Sequence, residues 1–187
     1  MMTEATILAL FPRIQEISDP TLRNKTINCL IDGITRGGWA LEPESCPISL
    51  KRAAAKITLV EHINSVADCC MNAYDVLRVF PERNGVRFDR DYILAGALLH
   101  DVGKFLEYKK TPDGVQESQT GKLMRHSLSG AVLAVENDLP ADVVQMIATH
   151  SFEGDKVPHT AESEFLRAMD LLAFNTAVHG TPILTVH

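Results

Sequence analysis

The stretch Ile-Leu-Ala-Gly-Ala-Leu-Leu-His-Asp-Val-Gly-Lys, residues 93–104, runs seven uncharged residues straight into His100 and Asp101. Aspartate is almost never fully buried unless it is paired or coordinates a metal. Imidazole and carboxylate are also the ligand types suited to zinc, iron, manganese and related divalent ions. Other residues of the same chemistry fall on apolar faces elsewhere. His62 sits between Val60 and Ile63, His150 lies at i+3 and i+7 from Ile147 and Val143, and Asp170 is in the stripe of Leu166, Ala173 and Ala177. His126 stands just ahead of an apolar segment. Singly, such residues are usually hydrogen-bonded core histidines, or a cap or arginine partner in the case of aspartate; Arg167, one turn before Asp170, is available for that. Four histidines and two aspartates buried together without a cation would carry large desolvation costs. Helical bundles commonly build metal sites from facing helices in this way.

The elements that must position these residues are helical. In Ile57–Phe80, apolar or small residues recur at 60, 63, 67, 70, 74 and 77, the spacing of one helix face. Pro81 and Gly85 should end that helix. Asp89 or Asp91 should cap the next, which carries the opening stretch as far as Gly103. Further helices are expected over 127–137, from Pro140 or Ala141 to His150, and over 161–178, with two more within about 4–36. Residues 37–50 and 109–121 read as loops, and no alternating strand is evident. The expected architecture is therefore all-α and single-domain, with the site between facing helices. Long loops in compact domains are often functional, so both are expected to cover the site opening, with Trp39 a candidate for substrate selection. The tail 179–187 could be extended.

Composition is that of an ordinary globular protein, 45% hydrophobic and 22% charged, with a net charge of −6. Basic residues are scattered, with no run longer than Lys109–Lys110, which argues against long nucleic acid as a partner. No apolar run approaches the roughly 20 residues of a membrane helix. The N-terminus carries Glu4 where a targeting signal would be basic. Cys29, Cys46, Cys69 and Cys70 form no CxxC pair and read as reduced residues of a cytoplasmic protein.

The order H…HD…H…H…D resembles the HD superfamily of metal-dependent phosphohydrolases. It is carried by His62 in EHINSVADCC, His100–Asp101 in LLHDVGK, His126 in RHSLSGA, His150 in IATH and Asp170 in FLRAMD. The resemblance implies an HD-type helical bundle over 57–178, with 1–56 a helical extension packed on it and 179–187 a tail. It implies that His62, His100, Asp101 and Asp170 hold one metal. The pair His126 and His150 resembles the binuclear members, in which the aspartate of the HD pair bridges two ions. A mononuclear protein with two supporting histidines is the competing reading. The expected cofactor is thus a divalent transition metal, two ions of Fe, Mn, Zn, Co or Ni. His159, His179 and His187 match no position of the pattern and are expected at the surface or in the tail.

Two divalent ions would leave the site net positive even after Asp101, Asp170 and a bound hydroxide, which suits a phosphate ester. Metal-bound water titrates near about 7, so a hydroxide would be available to attack phosphorus. Asp101 and Lys104 are the expected catalytic residues. Lys104, at i+3 from Asp101, could bind a phosphate oxygen, or could be a solvated cation at a helix end. Arg125 and Arg167 are weaker candidates for substrate contact, either equally a salt-bridge partner. The expected partner is a small phosphorylated metabolite such as a nucleotide, with a homodimer left open. Two alternatives remain: a mixed-valent di-iron oxygenase of the HD type, which uses the same ligands, and a non-catalytic ligand-binding module.

Overall fold

The computed structural model describes residues 2–51 and 56–179. The helices are α1 (Glu4–Leu10), α2 (Pro20–Arg36), α3 (Leu59–Leu77), α4 (Val79–Arg83), α5 (Arg90–Leu99), α6 (Lys104–Glu107), α7 (Gln119–Leu123), α8 (His126–Glu136), α9 (Ala141–Thr149) and α10 (Ala161–His179). A hairpin, β1 (Tyr108–Thr111) and β2 (Gly114–Glu117), interrupts them. The all-α expectation holds apart from that hairpin. The tail beyond residue 179 lies outside the described residues, as do His187 and the side chain of His179.

The centre of the bundle is α5. Every residue from Ile93 to Leu99 is buried, the pattern of a helix covered on all sides. It packs against α3, α9, α10 and α2. Its start is set by Asp89, whose side chain accepts the Tyr92 N–H at 3.1 Å. Asp91 does a different job, accepting the Ser18 N–H and hydroxyl and the Asp19 N–H. This ties the segment between α1 and α2 to α5. Ile7, Phe11, Ile14, Leu30 and Ile34 of the N-terminal part join the same buried cluster as α5.

A capping box starts α3: Thr58 accepts the Glu61 N–H while Glu61 accepts the Thr58 N–H. Its predicted stripe is inward, with Val60, Ile63, Ala67 and Cys70 buried. The helix ends at Leu77, before Pro81, which lies in the short α4 instead. Proline is tolerated there because the first turn of a helix has no intrahelical use for its N–H. The cysteines are free; burial pushes the Cys29 thiol up to about 12 and raises Cys46 and Cys70 further.

Gly103 shows why the turn after α5 carries a glycine. A Cβ there would lie 2.0 Å from the His126 carbonyl oxygen and 2.7 Å from the Gly130 nitrogen. Only a residue without a side chain lets this turn lie directly on the start of α8.

Two loop expectations need correction. Residues 109–121 are not a plain loop: Tyr108–Thr111 pairs antiparallel with Gly114–Glu117, with Gly114 at φ 109° in the turn. Trp39 does not guard an opening. It is buried, and its indole N–H donates to the Phe105 carbonyl at 2.9 Å. The end of the same loop does reach the cleft, through Ile48 and Ser49.

Candidate metal centre

Five helices bring the six predicted residues together. His62 lies within α3 and Asp170 within α10. His100 and His150 are the C-terminal caps of α5 and α9, Asp101 follows His100, and His126 is the first residue of α8. The four histidines and Asp101 are buried, and Asp170 is half-buried with 19% of its side chain exposed.

The same local device sets two of the rings. His100 Nδ1 lies 2.7 Å from the Ala97 carbonyl oxygen, and His150 Nδ1 lies 2.7 Å from that of Ile147. Each contact reaches back three residues. His126 Nδ1 is 2.9 Å from Glu107 Oε2. Carbonyl and carboxylate oxygens only accept, so each Nδ1 carries the proton and each Nε2 presents its lone pair.

These nitrogens converge in two groups around one carboxylate. His62 Nε2 and His100 Nε2 stand 3.3 Å apart, with Asp101 Oδ2 at 3.4 and 3.5 Å and Asp170 Oδ1 at 3.0 and 3.6 Å. His126 Nε2 and His150 Nε2 stand 3.2 Å apart, with Asp101 Oδ1 at 3.3 and 3.4 Å. Asp101 Oδ1 is buried without a hydrogen-bond partner among the described residues. His100, His126 and His150 thus turn acceptors toward carboxylate acceptors, with one carboxylate oxygen left over, an arrangement that a cation satisfies. Both trios could hold a metal ion.

The electrostatics agree. Burial would raise Asp101, yet the Lys104 ammonium and His100 hold it well below the usual carboxylate range. Asp170 is likewise held down, burial being outweighed by His100 and His62. Burial keeps His62 and His126 below the usual imidazole value. Burial alone would lower His100 too, but Asp101 and Asp170 push it up to about 10. That nitrogen faces negative charge and attracts a cation, whether proton or metal.

The centre forms the floor of a cleft of about 650 Å³, whose walls include Ile48, Tyr108, Arg125, Phe152, Leu171 and Phe174. Lys104 lines it, buried, with Nζ donating to Asp101 Oδ2 at 2.8 Å. The helix does not continue through it: the chain turns at 101–103 and restarts at Lys104. Arg125 lies at the rim, donating to Glu153 at 3.1 Å and placed 3.7 Å from Glu107 Oε1. Arg167 also reaches the cleft, but its partner is not Asp170. Its guanidinium donates to the Thr149 and Ser151 carbonyls and to Asp155, bracing the chain on both sides of His150. His159, expected at the surface, is half-buried in the same brace. It lies 2.8 Å from the Gly154 carbonyl and 3.0 Å from Ser163 Oγ.

Sequence spacing offered no sign of Glu107. It lies beyond the break at Gly103, so no helical register links it to His100 or Asp101, and its partner His126 is 19 residues away. Phe152 and Tyr108 were missed because each lies outside any periodic segment.

The HD domain pattern matches residues 51–175. The chain belongs to the HD family. Among characterised proteins, it is similar to dihydroneopterin 2′,3′-cyclic phosphate phosphodiesterase of Methanocaldococcus jannaschii, at 32% identity over 154 residues. The aligned part is 77% of this chain and 58% of that relative, so the chain spans less than two thirds of its length. No solved structure matches the chain. As an HD protein it is helical with a His/Asp centre suited to divalent metal, and none of its described helices is long and apolar enough to cross a membrane.

Proposed function

We propose that this HD protein is a metal-dependent phosphohydrolase acting on a nucleotide or another small phosphorylated metabolite. The observation that carries the reading is the convergence of four histidine Nε2 atoms on both oxygens of one buried carboxylate, whose Oδ1 has no hydrogen-bond partner among the described residues, at the floor of an open cleft. In this reading His62, His100, Asp170 and Asp101 would hold one divalent ion, and His126, His150 and Asp101 a second. Ions held there would supply a nucleophile from water at neutral pH and stabilise charge on phosphoryl oxygens.

The chain's own residues do the rest. The Lys104 side chain carries three N–H donors when charged; one goes to Asp101 Oδ2, and since Lys104 lines the cleft the others would be available to a phosphoryl oxygen. Arg125 adds positive charge at the rim. Phe152 and Leu171 are 65% and 59% exposed on the cleft wall. They give the non-phosphate part of a substrate an apolar surface. Arg167 is a scaffold residue in this reading, its donors being taken by protein acceptors.

The similarity to a phosphodiesterase of a 2′,3′-cyclic phosphate makes a cyclic phosphodiester carrying a heterocycle the first substrate to test. Residues 1–56 are read as a helical extension of the HD bundle. No observation favours the oxygenase alternative or the non-catalytic one.

The test is incubation of the purified chain with nucleoside 2′,3′-cyclic phosphates, nucleotides and simple phosphomonoesters, with Mn²⁺, Co²⁺ or Fe²⁺. Product appearing in the presence of metal and abolished by chelator is the expected outcome. Oxygen uptake with iron and no phosphoester cleavage would contradict the assignment.

A further inference from the structure

Glu107 is buried, touches no expected ligand but His126, and lies outside the six-residue pattern. One of its oxygens does two things. Oε2 accepts the His126 backbone N–H at 2.9 Å and the His126 Nδ1–H at 2.9 Å. His126 is the first residue of α8, and Arg125 before it supplies no side-chain cap. Glu107 therefore caps α8 from another element and fixes the ring of its first residue in the same contact. The hairpin places Glu107: after β2, the Ser118 N–H returns to the Glu107 carbonyl at 2.8 Å, and the Ser118 hydroxyl donates to the Leu106 carbonyl. Lys104 and Glu107, the two ends of the one-turn helix α6, thus reach the two sides of the centre.

We propose that Glu107 is the positioning residue of the His126–His150 side, so that occupancy of that side, and not of the His62–His100–Asp170 side, depends on it. The inference rests on the two-ion reading above. A carboxylate accepting Nδ1–H keeps the Nε2 lone pair aimed at Asp101 Oδ1 and makes the imidazole a stronger donor to a cation. Nothing equivalent is needed at His100 and His150, whose rings are set by their own helix ends.

The experiment is Mn²⁺ binding to the full chain and its Glu107→Gln variant, read by equilibrium dialysis and by the electron paramagnetic resonance of coupled Mn²⁺ pairs. Glutamine keeps the size and one acceptor oxygen, so helix content and thermal midpoint of the ion-free protein should match wild type. Glu107→Ala, which removes the cap too, should be worse on every count. Wild type is expected to bind two Mn²⁺ with a coupled signal. The Glu107→Gln variant should bind the first within about threefold of wild type and the second about 10- to 100-fold more weakly, losing the coupled signal. Two ions at undiminished affinity in the variant, or equal weakening of both, overturns the role of Glu107 alone. A wild-type protein that binds a single Mn²⁺ overturns the two-ion reading itself.

Discussion

The two halves of the centre are built differently. His62 and Asp170 project from the interiors of the 19-residue helices α3 and α10, beside the buried α5 that ends at His100. Regular side-chain packing along these helices holds His62 and Asp170, and His100 caps α5, a helix buried on all sides. His126 and His150 sit at helix ends, and their positions depend on short connections: the Gly103 turn, Glu107 on α6, and the Arg167 brace around His150. Asp170 of the first half is half-buried, whereas all three ligands of the second are buried, although Asp101, His126 and His150 also line the cleft. A helix interior is stabilised by many small contacts, so losing one neighbour shifts it little. A helix end is set by a few specific hydrogen bonds, and losing one moves the ligand itself. The half held by helix packing should therefore tolerate changes in its surroundings, and the half held by connections should not.

The largest effect should come from the residue the halves share. Asp101→Ala removes a carboxylate from both, and metal analysis of the purified variant should find neither ion retained. Its turnover should fall by about a thousandfold or more, since the ions supply several kcal/mol of transition-state stabilisation. Wild-type metal content in Asp101→Ala would break the comparison at its pivot.

Removing one histidine separates the halves. His126→Ala should leave one ion on the His62 side, while His62→Ala should weaken the ion on its own side and leave the His126–His150 pair in place. Metal stoichiometry distinguishes the two, and identical loss in both variants would show that the centre fills only as a unit.

Gly103→Ala probes the connection without changing a ligand side chain. The methyl group would collide with the His126 carbonyl and displace the start of α8. Overpacking of this kind costs about 1–3 kcal/mol. The thermal midpoint should fall by about 2–4 °C per kcal/mol, with the second ion weakened more than the first.

The smallest effect is expected far from the centre. Asp91 is partly buried, which would raise it, but the Ser18 and Asp19 donors hold it below its ordinary value. Its contribution is therefore present above the unfolded pKa of about 4 and is lost as pH falls through that value toward the folded one. Asp91→Asn should cost about 1–2 kcal/mol at neutral pH by denaturant titration. It should flatten the acid limb of the stability curve and leave metal stoichiometry unchanged. A change in stoichiometry would mean that the regular half is less independent than its packing suggests.

Most of the ligands were legible in the sequence, because helical periodicity reports which residues face inward. His62, His150 and Asp170 showed themselves as polar residues on apolar stripes, and His100–Asp101 as a titratable pair ending a fully apolar run. The supports of the His126–His150 half left no such trace. Glu107 follows a chain reversal that destroys helical phase. The Arg167 donors go to carbonyls and to Asp155, partners that no spacing specifies. The hairpin escaped because its four-residue strands keep most side chains exposed and so show no inward-outward alternation. Trp39 was buried by a loop, where burial has no period to reveal it.

The central claim is that two cations share Asp101, and metal titration of the purified wild-type chain tests it most directly. With Mn²⁺ or anaerobic Fe²⁺, the account predicts saturation at two ions per chain, with magnetic coupling between them. Saturation at a single ion, or two ions without coupling, would contradict it.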